Sequence, residues 1–146
     1  MPGITDPAEA YFKDGLWGWD GSVWRKLPLL FGYSESLAQW IRETNATAVE
    51  DTLDLGAVPE GEIWVITSAS AHDRDTNVTK IVIYQQTAEG AHPVVEHFPT
   101  AAGERAIFSG WLVLPKDDYL YGEYIGTVLN DNIYVSCTGF KMAIVE

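Results

Sequence analysis

Three histidines, one cysteine and 21 carboxylates are the side chains of this 146-residue chain with the chemistry to hold a metal or move a proton. Ligands on one strand share a face only at even spacing. His92 and His97 are five apart, His72 lies well upstream, and His92-Pro93-Val94-Val95-Glu96-His97 contains no His-x-His pair. The spacing therefore predicts no metal centre. Asp73-Arg74-Asp75-Thr76-Asn77 imitates the opening of a calcium loop, but Val78 stands where such a loop needs glycine and Tyr84 where it needs glutamate. The segment reads as a solvated turn, with a weak cation site near Asp73 and Asp75 as the alternative. Cys137 has no second thiol to pair with and sits in an apolar alternation, so it reads as a buried, inert group. No Gly-x-Ser-x-Gly or phosphate-binding glycine loop occurs. Paired carboxylates always occur among 21 acids and point nowhere by themselves. The reading is a protein without catalytic residues, metal or cofactor, and not an enzyme.

The aromatic residues say more. Gly15-Leu16-Trp17-Gly18-Trp19-Asp20-Gly21-Ser22-Val23-Trp24-Arg25-Lys26-Leu27 places Asp-Gly between two apolar runs, a strong hairpin signal because these residues tolerate positive φ. An isolated two-stranded ribbon is marginal in water, so the hairpin must lie on this protein's core or on a partner. Trp17, Trp19, Trp24, Phe31 and Tyr33 are thus the candidate contact residues, for a protein interface or for stacking on a sugar ring. Trp64 and Trp111 fall inside apolar strands and are expected in the core.

The formal charge of −12, from 21 acids against nine bases, repels phosphate backbones and anionic lipid and argues against nucleic-acid or membrane-surface binding. It favours solubility, or alternatively a cationic partner surface. The start, Met1-Pro2-Gly3-Ile4-Thr5-Asp6-Pro7, has neither a basic segment nor an apolar run and does not read as a signal peptide.

These residues must be positioned by strands. Residues 1–14 read as an N-terminal arm, 15–45 as the aromatic hairpin with a short helical or irregular connector, and 46–146 as a β-sandwich domain. The connector's helix would start at a Ser34 cap and carry Leu37, Trp40 and Ile41 at i, i+3, i+4. From Val49 onward the period is two, with Val49, Asp51, Leu53 and Leu55 on one face. Further strands are expected at 63–71, 78–86, 94–98, 105–113, 119–127 and 132–145. Short strands joined by brief turns predict an all-β antiparallel sandwich of about eight strands. Val58-Pro59-Glu60-Gly61-Glu62-Ile63-Trp64 and Leu114-Pro115-Lys116-Asp117-Asp118-Tyr119-Leu120 share one outline, a Pro turn feeding a strand. Two such halves suit a jelly roll, which is a pair of Greek keys folded together.

The Trp-Asp-Gly hairpin with its continuation Leu29-Leu30-Phe31-Gly32-Tyr33-Ser34 resembles hairpins of tail and fibre proteins of tailed bacteriophages. The run from Val58 to Ala71 and the turn Ala101-Ala102-Gly103-Glu104 look like parts of small jelly-roll proteins from such virions. The resemblance implies a virion structural protein, assembled in the host cytoplasm, of the capsid decoration or cement type. Its partner would be the major capsid protein or another virion protein, and the protein itself a homo-oligomer, commonly a trimer. The alternative it implies is a carbohydrate- or receptor-binding module, at a fibre tip or in a lectin-like domain, with a glycan as ligand.

Overall fold

The computed structural model describes residues 17–19, 24–26 and 35–143. Every element among them is a strand: β1 (Trp17–Trp19), β2 (Trp24–Lys26), β3 (Glu35–Glu43), β4 (Glu50–Asp54), β5 (Glu62–Asp73), β6 (Lys80–Thr87), β7 (Gly90–His97), β8 (Arg105–Leu114), β9 (Tyr119–Ile125) and β10 (Ile133–Ala143). β1 and β2 form the expected antiparallel hairpin, with Trp17 opposite Lys26 and Trp19 opposite Trp24. The Asp20-Gly21 turn, the 1–14 arm, Phe31 and Tyr33 lie outside the described residues, as do the side chains of Trp17, Trp19 and Trp24.

The remaining eight strands make two four-stranded antiparallel sheets, ordered β3-β10-β5-β8 and β4-β9-β6-β7. Four of the pairings are nested: β3 with β10, β4 with β9, β5 with β8, and β6 with β7. The chain is therefore one long antiparallel ribbon folded three times. When it curls, β5 meets β10 and β6 meets β9, which closes both sheets. This is the jelly-roll order.

At each fold of the ribbon, two connectors cross together. Val58 exchanges hydrogen bonds with the second Pro turn, donating to Asp118 O at 2.9 Å and accepting from Asp117 N at 2.9 Å. The two similar Pro segments of the sequence are thus the two strands of one corner. Each carries the residue that breaks β pairing at the place where the ribbon must leave one sheet for the other. At the next corner toward the chain ends, Val49 N donates to Thr127 O and Gly126 N to Val49 O. At the third, Gly103 N donates to Asp73 O at 2.7 Å.

The core fills the gap between the sheets with one parity of each strand. Leu53, Ile66, Ala69, Ala71, Ile81, Ile83, Ala106, Leu114, Leu120, Tyr124, Ile133, Val135 and Cys137 are all buried there. Burying each large aliphatic side chain contributes about 1.5–3 kcal/mol. Tyr124 reaches across the gap to donate its hydroxyl to Tyr134 O of the facing sheet, and this satisfies its polar end.

Three expectations need correction. Residues 35–43 are strand and not helix: nine consecutive residues pair with β10, and Leu37 is buried while Trp40, on the opposite face, is 69% exposed. The i, i+3, i+4 spacing of Leu37, Trp40 and Ile41 was compatible with a helix, but tertiary pairing overrides so weak a local preference. The sandwich therefore begins at Glu35 and not at residue 46. Val49 leaves the β alternation, with φ of +81° at the first corner and its side chain exposed.

Candidate functional site

Alternation leaves each sheet an outward face, and the two faces differ. On the β3-β10-β5-β8 sheet the register aligns Arg42, Tyr134, His72 and Arg105 in one row across all four strands. The His72 ring stacks on Tyr134 with centroids 4.7 Å apart and planes at 5°. The Arg42 guanidinium carbon lies 5.9 Å above the same tyrosine ring, within cation–π range. Burial, with Arg105 and Arg74 nearby, lowers the pKa of His72 and favours the uncharged ring.

The next row is Trp40, Ser136, Ser70 and Ile107, in which the two serine hydroxyls share a 3.0 Å hydrogen bond. At the far end Val113, Val65 and Phe140 align, and Trp111 sets its ring edge-on to Phe140 at 5.8 Å. Trp40, Ile107, Trp111 and Val113 are 55–73% exposed. The expectation that Trp111 is a core residue is thus overturned, whereas Trp64 is buried as expected and donates its indole N–H to Glu62 at 2.7 Å. The reason lies in β8, where Ala106, Leu112 and Leu114 share the inward parity and Trp111 falls on the other.

The cations are unevenly used. Lys80, Lys116 and Lys141 are paired with Glu96, Glu60 and Glu35. Among the described residues Arg42, Arg74 and Arg105 have no ion-pair partner, and all three are exposed at one end of the molecule.

The outward face of β4-β9-β6-β7 carries Tyr84, Tyr119 and Tyr121, with Tyr84 and Tyr121 stacked at 5.0 Å. Around them stand Glu50, Asp54, Glu96 and Glu123, and the Tyr84 hydroxyl donates to Glu123 at 3.2 Å. Burial, then the Glu123 charge, raises the pKa of both Tyr84 and Tyr121.

The acidic turn at Asp73 is less solvated than its sequence suggests. Asp73 is 1% exposed; its Oδ1 accepts from Asp75 N and Thr76 N, at 2.9 and 3.0 Å. Its other oxygen is buried and has no hydrogen-bond partner among the described residues. Asp131, also buried, is close enough for its charge to act on Asp73, and its own Oδ2 accepts from Val128 N at 2.7 Å. Each carboxyl thus caps its own loop. Burial raises the pKa of Asp73, and the neighbouring Asp131 adds to the rise. Asp75 instead accepts from Asn132 and is held below the usual range.

His92 and His97 correct a piece of reasoning. A bulge in β7 pairs them with Gln85 and Ile81, which share a face, so an odd spacing places both on one side of the strand. They are still four residue steps apart along β6, about 13 Å, too far to share an ion. No cluster of three or more metal-ligating side chains occurs among the described residues. Cys137 is buried as expected, its thiol pushed up to about 11 by that burial. Comparison with protein-family models and with curated proteins returns no significant match.

Sequence reasoning missed the outward face around Trp40 and Trp111. Its available signal was the run from Arg105 to Leu114, apolar on both parities, which one buried face alone does not require.

Proposed function

We propose that this chain is a docking module whose working surface is the outward face of β3-β10-β5-β8. The role would be that of a virion structural protein, binding and stabilising an assembled shell as a decoration or cement protein. The observation that carries docking is the gathering of Trp40, Ile107, Trp111 and Val113, each more than half exposed, on one face of one sheet. Exposed apolar groups concentrated in this way mark interaction surfaces, and Trp is among the residues that dominate binding energy. The choice of a virion shell rests on the resemblance of the hairpin and of the 58–71 strand to small jelly-roll virion proteins. Binding to the assembled shell and not to its free subunits would stabilise the assembly by mass action, multiplied over a repeating lattice. The partner would be the major capsid protein or another virion protein, met by a homo-oligomer such as a trimer. Quantifying the chain against the major shell protein in purified particles tests this. A fixed ratio near the lattice number supports a decoration protein, a handful of copies moves the role to a fibre tip, and absence sinks the virion role.

A second reading, carbohydrate binding, is favoured by the Tyr84, Tyr119 and Tyr121 group with carboxylates at its rim, since rings stack on sugars while acids accept from hydroxyls. Glycan binding lost on Tyr121→Ala in a folded protein would support it, as would loss on Trp17→Ala, Trp19→Ala or Trp24→Ala at the hairpin.

A further inference from the structure

Three arginines without carboxylate partners are unexpected in a chain of net charge −12. Any acid within reach would gain by pairing with them, and Lys80, Lys116 and Lys141 have each found one. The arginines are also not scattered. Arg42 and Arg105 end the two edge strands of one sheet, and Arg74 follows the central strand β5 at the same end of the molecule. Between them the row holds Tyr134 and His72, stacked and without a carboxylate. One row further in stand Trp40 and Ile107, 69% and 60% exposed.

We propose that this cationic end of the β3-β10-β5-β8 face receives a carboxylate-rich protein surface with an apolar centre, Arg42 and Arg105 gripping acidic side chains while Trp40 and Ile107 bury against the apolar part. The proposal rests on the docking reading above and names its partner by chemistry. Charge complementarity is the argument: the two outward rows at this end carry Arg42 and Arg105 and no carboxylate, so they attract and orient an acidic partner that the acidic body otherwise repels. Arg also forms bidentate pairs with carboxylates and ranks with Trp among the side chains that anchor interfaces. An extended polyphosphate fits less well, because the rest of the body opposes it and phosphate has no use for exposed Trp and Ile.

The test places a photo-crosslinking benzophenone amino acid in the full chain, in place of Ile107, expressed in the cells that make the protein. Captured peptides are identified by mass spectrometry. The expected result is one dominant protein species, captured through a segment rich in Asp and Glu. Capture should fall about tenfold or more when Arg42→Glu and Arg105→Glu are combined. It should stay unchanged with Lys116→Glu, an exposed cation at the opposite end. The same probe in place of Tyr84 should not capture that species. Capture of a second copy of this chain, capture of nucleic acid, absence of capture, or indifference to the two arginines would each overturn the proposal. If the captured acidic protein is not a virion component, the proposal stands and the virion reading falls.

Discussion

On the outward side of β3-β10-β5-β8 the large exposed side chains are Trp40, Ile107, Trp111 and Val113, and Arg42 and Arg105 stand in the row next to Trp40 and Ile107. The outward side of β4-β9-β6-β7 presents tyrosines among Glu50, Asp54, Glu96 and Glu123. Both sheets obey the same alternation and supply the same core, so the difference owes nothing to folding. A tyrosine–carboxylate face is content in water, because each ring has a hydroxyl to hydrate and each acid is solvated. A face of Trp, Ile and Val gains nothing from exposure, and it gathers on one sheet where a single partner can cover it. Folding uses the inward parity of both sheets; of the two outward parities, only that of β3-β10-β5-β8 exposes large apolar groups among the described residues.

The comparison can be broken hardest beneath the faces, at one glycine in each sheet. Opposite the bulge that Thr67 makes in β5, a Cβ on Gly139 of β10 would run into the Val65 carbonyl oxygen and the Ile66 Cα, both backbone atoms of β5. Gly139→Ala is expected to cost about 3 kcal/mol or more, because backbone must move. A Cβ on Gly122 would meet only the Tyr124 ring, with the hydroxyl 2.7 Å away. Gly122→Ala should therefore cost less, about 1–3 kcal/mol, mostly by loosening the hydrogen bond to Tyr134. Denaturant unfolding of the two variants side by side checks the order; equal losses would mean that the sheets are equally rigid at these points.

Next in size is the buried carboxyl of Asp73, which lies near Asp131. Because the folded pKa of Asp73 is raised above its unfolded value, its stabilising contribution is full below the unfolded pKa and is lost as pH rises through the folded one. Asp73→Asn keeps an oxygen for Asp75 N and Thr76 N and carries no charge to bury near Asp131. Thermal unfolding across acid to neutral pH should show the variant more stable than wild type near neutrality, with a flatter slope above the ordinary Asp range. An unchanged slope would remove Asp73 from the pH response.

Val49 should give a smaller gain. A β-branched residue at positive φ is strained by about 1 kcal/mol or more, and its exposed side chain contributes no core contact. Val49→Asn is expected to raise stability by roughly 0.5–1 kcal/mol, readable as a higher denaturation midpoint. Least affected should be the apolar face itself: Trp40→Ser is expected to leave stability within about 0.5 kcal/mol, while abolishing partner capture at position 107. A large stability loss would show that Trp40 holds the fold and not a partner.

The architecture was legible because strands announce themselves by parity and Pro turns by composition. Seven expected strands from Val49 onward match β4 to β10 within a few residues at their ends. β3 escaped because Leu37, Trp40 and Ile41 fit a helical face as well as a strand, and the residue that decides between them is β10, nearly a hundred positions away. The exposed apolar face was unreadable for a related reason. Whether Trp111 points in or out depends on which of two apolar parities in β8 meets the core, and the pairing of Ile66 with Leu112 settles that only in three dimensions. The candidate contact residues read from the hairpin, Trp17, Trp19 and Trp24, remain proposals beside the sheet face, since only their backbone pairing is described.

The position of β10 has a consequence for how the chain is made. It is the last strand described, yet it lies in the interior of its sheet, between β3 and β5. Until Ile133–Ala143 leaves the ribosome, β3 has no neighbour and β5 exposes an unpaired edge. Pairings such as β5–β8 and β6–β7 can form earlier, but the β3-β10-β5-β8 sheet closes only in a later step, when β10 slides between two strands that have been waiting. Such a fold has high contact order and forms slowly. During that wait the unpaired edges are open to other chains, so the charge of −12, which keeps copies apart, protects the unfinished protein as well as the finished one.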